Sequence, residues 1–223
     1  MESEEWNNII LSGGLVDMDR YADKTLYIIK GNTTINAINN HYDAEVKFKV
    51  EPGVTLALNM FDFAVKLSKK IEVELDDKAG FIFNGAFISE VKYDLTIDIA
   101  MYGDNTYSEV NIRGINDKEG TTKVVMNGTV AGETHGSEIN EYAKIINKSD
   151  EASVVIPNLI VNTSEVTANH GVTVSGLESA KLFYLVCKGI DKDHATKILE
   201  EGFLLSIMSD DIKEHIKNIL IGR

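Results

Sequence analysis

The sequence is poor in the residues that would build a disulfide or metal framework. Its single cysteine, Cys187, excludes an internal disulfide and any site made from two thiolates of one chain. Arginine occurs only at Arg20, Arg113 and Arg223. Acidic residues outnumber basic ones 35 to 22, for a net charge of −13. Phosphate backbones and anionic membranes are held by clustered cations, so no nucleic-acid and no membrane partner is expected. No run approaches the ~18 consecutive apolar residues of a membrane helix. The start, Met1-Glu2-Ser3-Glu4-Glu5, is acidic, whereas a secretory signal begins basic and turns apolar. A cytoplasmic location is therefore expected. Only Pro52 and Pro157 break the ladder-forming capacity of the backbone.

What is present is a chain of 223 residues, 43% hydrophobic, enough for one domain with a core. The texture changes near residue 174. Residues 1–174 carry a net charge of −12 and residues 175–223 only −1. The first part holds short alternating runs. Val46, Phe48 and Val50 alternate with charged residues, as do Ile71, Val73 and Leu75, and then Leu95, Ile97 and Ile99. Side chains in a strand point to opposite faces with period two, so each run buries one face and wets the other. Further strand-like runs lie near residues 107–112, 122–130, 142–147 and 153–161, separated by turn signals such as Asn84-Gly85 and Asn127-Gly128. The run starts at 46, 71 and 95 recur at the period of one coil of a parallel β-solenoid with two or three strands per turn. An antiparallel sandwich fits the pattern equally well.

Residues 175–223 read as helical. Ser175-Gly176-Leu177-Glu178 has the form of a capping box. Gly189 can end the first helix. Asp191 can start a second with Ala195, Ile198, Leu199, Phe203 and Leu204 on one face, and Ser209 a third. A helical block directly after a solenoid is expected to cap its last coil, which otherwise leaves an open sheet edge. The expected division is an N-terminal segment 1–24, a β core 25–174 and a helical segment 175–223.

Candidate chemistry is sparse. His194 and His215 lie among helical charges and read as solvated, while His41 and His135 read as loop residues. No His-Glu-x-x-His, nucleophile elbow or phosphate-binding Gly-Lys-Ser/Thr loop occurs, so the chain itself should bind no nucleotide. Cys187, near a helix end, reads as a buried inert thiol. Carboxylate pairs such as Asp94/Asp98 and Glu72/Glu74 read as a solvated face rather than a glycosidase or lyase site.

One stretch is more specific. Pro157-Asn158-Leu159-Ile160 is followed by Ala168-Asn169-His170-Gly171-Val172-Thr173-Val174, then Leu182-Phe183-Tyr184-Leu185-Val186-Cys187-Lys188-Gly189-Ile190, then Glu201-Gly202-Phe203. This succession resembles the C-terminal core of the SufB/SufD scaffold family of iron–sulfur cluster assembly. Lys188 stands where the family carries Arg and Cys187 where it carries Ser. The resemblance implies a right-handed parallel β-helix followed by a helical segment, and a non-enzymatic scaffold that holds a transient iron–sulfur cluster. It implies two partners: a second scaffold, as homodimer or heterodimer, and a SufC-like ABC ATPase. His170 takes the position of a histidine implicated in cluster assembly at the dimer interface, as an iron ligand. Phe183, Tyr184, Gly189, Ile190, Gly202 and Phe203 would shape the ATPase-docking surface, with half or more of them expected to be buried. Gly171 matches SufD-type chains, since SufB-type members carry Glu there. The assembly cysteine of SufB-type members would fall near Tyr142 or Ala143, and neither is a thiol. The alternatives are a β-helix interaction protein without a metal role and a β-helix carbohydrate-active enzyme.

Overall fold

In the computed structural model, residues 6–18, 23–38 and 42–221 are described; His41 lies outside them. Every strand pair among the described residues is parallel, which removes the sandwich. The strands are β1 (Asn7–Leu11), β2 (Gly14–Asp17), β3 (Thr25–Ile29), β4 (Thr33–Ile38), β5 (Ala44–Val50), β6 (Thr55–Leu75), β7 (Gly80–Met101), β8 (Tyr107–Asn116), β9 (Thr121–Val130), β10 (Ser137–Asn147), β11 (Ser153–Val161) and β12 (Val166–Ser175). They coil into a solenoid with two sheet faces. One face stacks β1, β3, β5, the second half of β6, the second half of β7, β9 and β11. The other stacks β2, β4, the first halves of β6 and β7, β8, β10 and β12.

The register follows the alternation. Val46, Ile71, Ile97, Met126 and Pro157 lie above one another. Leu95, the start of the third run in the sequence, stacks on Lys69 rather than on Ile71, so that run is displaced by one full pleat. The displacement is even and leaves the same side chains inward, which is why the alternation survived it. Strands β1 and β2 form the first rungs, so the coil begins inside the 1–24 stretch set apart in the sequence.

The lumen is filled by one apolar cluster from Tyr27 to Ile145, including Phe48, Phe81, Phe83 and Phe87. β6 and β7 each run through both faces. β6 turns the corner at a register shift between Ala64 and Lys66. There Asp62, on the last inward position before the corner, receives Lys69 Nζ at 2.5 Å and Tyr93 Oη at 2.8 Å. All three residues are buried, and Tyr93 stacks on Phe87 at 4.0 Å between ring centroids. Outside the lumen, asparagines hydrogen-bond from rung to rung: Asn84 to Asn59 to Asn36, and Asn158 to Asn127. Each amide satisfies its neighbour above and below, as in stacked cross-strand ladders.

Three helices follow: α1 (Ser179–Cys187), α2 (Lys192–Leu205) and α3 (Asp210–Ile221). The expected capping box does not form. Ser175 ends β12, and α1 begins after Glu178 with no side-chain cap. Gly189 does end α1, at φ +86°, and the Asp191 side chain accepts from His194 N–H at 2.9 Å to start α2. The helices do not cover the last coil. Leu204, Leu205, Met208, Ile212 and Ile216 form a second buried cluster with Ile38, Phe61, Ala86, Ile88, Ile115 and Ile146, which lie on the outer flank of successive coils. The physical reason is that flank. Register partners Ile88, Ile115 and Ile146 make a continuous outward-facing apolar column that only a helix pair running along the solenoid can bury. Among the described residues no helix is long and apolar enough to cross a membrane.

Candidate functional site

The open end of the solenoid is the first feature. Among the described residues β11 pairs only with β9, and β12 only with β10. Val154, Ile156, Ile160, Val172 and Val174 on these strands are exposed. Unpaired strand edges carrying apolar side chains are templates for a further strand.

His170 sits on β12, in register with Glu141 of β10 and, one rung further in, with Val110 of β8. Register partners in parallel strands project to the same side. Val110 and Glu141 are buried in the lumen, so His170 faces the same way and is exposed because no rung follows it. The neighbouring Asn169 faces outward and donates to Asn140 at 2.9 Å.

Glu141 was not singled out in the sequence. It is 0% exposed, and burial raises its carboxyl to about pKa 7. Among the described residues, the buried side-chain polar atoms without a hydrogen-bond partner are both Glu141 oxygens and Ser108 Oγ, all on the same inward face. Room for the carboxylate comes from Gly128 of β9. A Cβ there would lie 2.9 Å from Glu141 Oε1 and 2.5 Å from Ile139 Cδ1. The signal was readable: Ile139, Ala143 and Ile145 set the inward phase of β10, and Glu141 falls in that phase. Reading the strand from residue 142 lost it.

The two positions tested for an assembly thiol differ in kind. Tyr142 is on the outer face and Ala143 in the lumen. The Tyr142 ring lies over Gly171, where a Cβ would approach it to 3.1 Å. Any side chain at 171 therefore has to displace that ring.

The helical segment supplies a second surface. Among the described residues no side chain of α1 is buried. Phe183 is 71% and Tyr184 60% exposed, and Cys187 is exposed, contrary to the expected buried thiol. The reason is that α1 leans mainly on α2 and leaves its other face to solvent. Gly189 and Gly202 are exposed, while Ile190 and Phe203 are half-buried, so none of the six residues assigned to the docking surface is buried. Tyr184 lines an apolar groove of about 370 Å³ with Ala180, Leu185, Ile198 and Leu199. Phe203 instead packs on the second core, 5.9 Å from the Arg113 guanidinium, whose pKa burial lowers. His194 and His215 are exposed, and His135 is a surface residue bonded to Glu165 at 2.9 Å.

A shallow groove of about 430 Å³ on the first sheet is lined by Glu72, Glu74, Asp98 and Lys47. Two of its carboxylates are engaged: Glu72 with Lys47 at 2.9 Å, and Asp98 with Asn127 at 2.6 Å. Burial pushes Glu72 up, but hydrogen bonds from Lys70 and Lys47 hold it below the usual range. This is an ion-pair lattice on a wet sheet face.

Comparison with known proteins bears on both surfaces. The profile of the family described as "SUF system FeS cluster assembly, SufBD core domain" matches residues 48–203, most of the chain. The chain belongs to the SufBD core-domain family. The match takes in the inner coils from β5 onward, beyond the stretch from Pro157 to Phe203 that carries the resemblance in the sequence. The iron–sulfur cluster assembly protein SufD of Bacillus subtilis (strain 168) is 27% identical over 200 residues, covering 76% of this chain and 44% of that protein. SufD of Plasmodium berghei (strain Anka) is 37% identical over 68 residues, covering 30% of this chain and 5% of that protein. The chain thus spans under half the length of these curated relatives. Within the SufBD core, His170 lies on the exposed last rung and Phe183 and Tyr184 on the exposed first helix.

Proposed function

We propose that this SufBD-core chain is a scaffold subunit of iron–sulfur cluster assembly rather than an enzyme. In this reading two solenoids join through their open ends, placing His170 at the seam as an iron ligand for a transient cluster. The exposed α1 surface with the α1–α2 groove docks a SufC-like ABC ATPase. No thiol stands at residues 142 or 143, so those positions of this chain offer the cluster no thiolate. The observation that carries the reading is the last rung: an unpaired, apolar-edged strand that presents His170 at its face. Two such edges can pair and bury each other's valines and isoleucines, which is what an interface of at least ~1,000 Å² requires.

The test is co-purification with the ATPase from the same source. Phe183→Asp places a charge on the most exposed aromatic of α1 and should abolish capture without unfolding the chain. Phe203→Asp is a poorer probe, because Phe203 supports the second core. Failure of the wild-type chain to bind the ATPase rejects the docking assignment. The alternative, an interaction protein of the same fold without a metal role, is favoured if His170→Ala leaves cluster content unchanged after anaerobic reconstitution with iron and sulfide.

A further inference from the structure

Every orphaned polar side-chain atom in the described interior belongs to Ser108 or Glu141, on successive rungs of one inward face. A buried carboxylate without a donor is costly, and such a group calls for a missing partner such as water or an ion. Three features say what partner fits. Glu141 is one rung from His170 on the same face, and rungs stack about 4.8 Å apart, so both side chains can reach one ion. Gly128 leaves free the volume into which the Glu141 carboxylate extends. His170 is exposed at the open end, which gives an ion a way in that a sealed lumen would deny. One imidazole nitrogen and one carboxylate form a donor set suited to divalent first-row ions such as Fe2+, Mn2+ or Zn2+, with further positions left for water or other donors.

We propose that Glu141 and His170 together bind a divalent first-row transition ion at the open end of the solenoid lumen. Glu141 is the added ligand. It turns a lone surface imidazole into a bidentate oxygen–nitrogen site, and it does so without any thiolate. The inference deepens the cluster-assembly reading by giving iron a landing site on this chain.

The test uses the full chain, stripped of metal and titrated anaerobically with Co2+ as a spectroscopic probe and then with Fe2+. Saturable binding with visible d–d bands is expected. Glu141→Gln keeps the side-chain shape, and Gly128→Ala pushes the carboxylate out of its cradle. Each, like His170→Ala, should weaken binding by at least about tenfold, the scale on which even indirect ligand support acts. Thermal melts confirm that each variant is folded. If Glu141→Gln binds as tightly as the wild type, or if the wild type binds no ion, the inference is wrong and Glu141 is a neutral carboxyl held by buried water. Wild-type chain that binds the ATPase but no ion overturns this inference alone. Wild-type chain that binds the ion but no ATPase overturns the docking assignment and leaves the site standing.

Discussion

The corner of β6 offers the sharpest energetic test of the fold. Asp62, Lys69 and Tyr93 bring an ion pair and a phenol together inside the lumen, with side chains of Lys69 and Asp62 only 1% and 0% exposed. Burial lowers the Lys69 pKa, with the Asp62 charge and hydrogen bond opposing it. Removing one member of a buried pair strands the other's charge and costs about 3–5 kcal/mol, whereas replacing both with apolar groups of similar volume is often neutral or stabilising. Asp62→Ala should therefore lower the unfolding free energy by about 3–5 kcal/mol. Tyr93→Phe, which deletes the hydrogen bond to the charged Asp62 acceptor, should cost about 1.5–3 kcal/mol. Asp62→Leu combined with Lys69→Met should fall within ~1 kcal/mol of the wild type, or exceed it. Urea unfolding followed by circular dichroism, with m values compared across the series, measures all three. A cost below ~1 kcal/mol for Asp62→Ala, or a double variant less stable than either single one, would show that the corner is not held as described.

Other expectations follow from single residues. The Glu141 carboxyl is raised to about 7, so the folded chain holds a proton that the unfolded chain releases above its ordinary value of 4.5. The native state then binds more protons between those values, and stability falls as pH rises through the window. The full shift corresponds to about 3 kcal/mol as an upper limit, and Glu141→Gln should remove that part of the slope in metal-free urea titrations from pH 5 to 8. Cys187 is exposed and should react stoichiometrically with a thiol reagent in the native chain; reaction only after denaturation would contradict the placement of α1. Gly189, at φ +86°, should lose about 1 kcal/mol or more on replacement by Val, with the loss seen in thermal melts, whereas Gly202→Ala meets nothing within 4 Å and should be neutral or stabilising.

The coil was legible because alternation survives errors of register. Moving the third run by one pleat left Leu95, Ile97 and Ile99 inward, so period and parallel stacking could be read while the rung partners could not. The helices were legible in existence and wrong in seat. Nothing in Leu204, Ile212 or Ile216 says which apolar surface they meet. That surface is assembled from one or two residues of each of five strands, among them Ile38, Phe61 and Ile146, far apart in the chain. The packing partner of Phe203 was hidden for the same reason: its contact with Arg113 crosses from helix to sheet and leaves no local trace. Glu141 was hidden by a boundary error of a few residues, which matters more at an edge strand than anywhere else, because parity there decides between lumen and solvent.

The seat of the helices also explains how one short chain can present two surfaces. A helical cap over β11 and β12 would have buried the edge that carries His170. Instead residues 176–178 lead directly from β12 to α1, and Leu177 packs into the second core beside Phe203 and Ile219. α2 and α3 then lie along coils that include β4, β6, β7, β8 and β10. α1 is thus tied to the solenoid through α2 and Leu177 as well as through β12. That distribution matters because β12 is held by a single ladder to β10 and would be the first strand to peel. The last rung is left exposed while the helices are seated on earlier coils, so in the proposed assembly that edge stays free to meet a second chain.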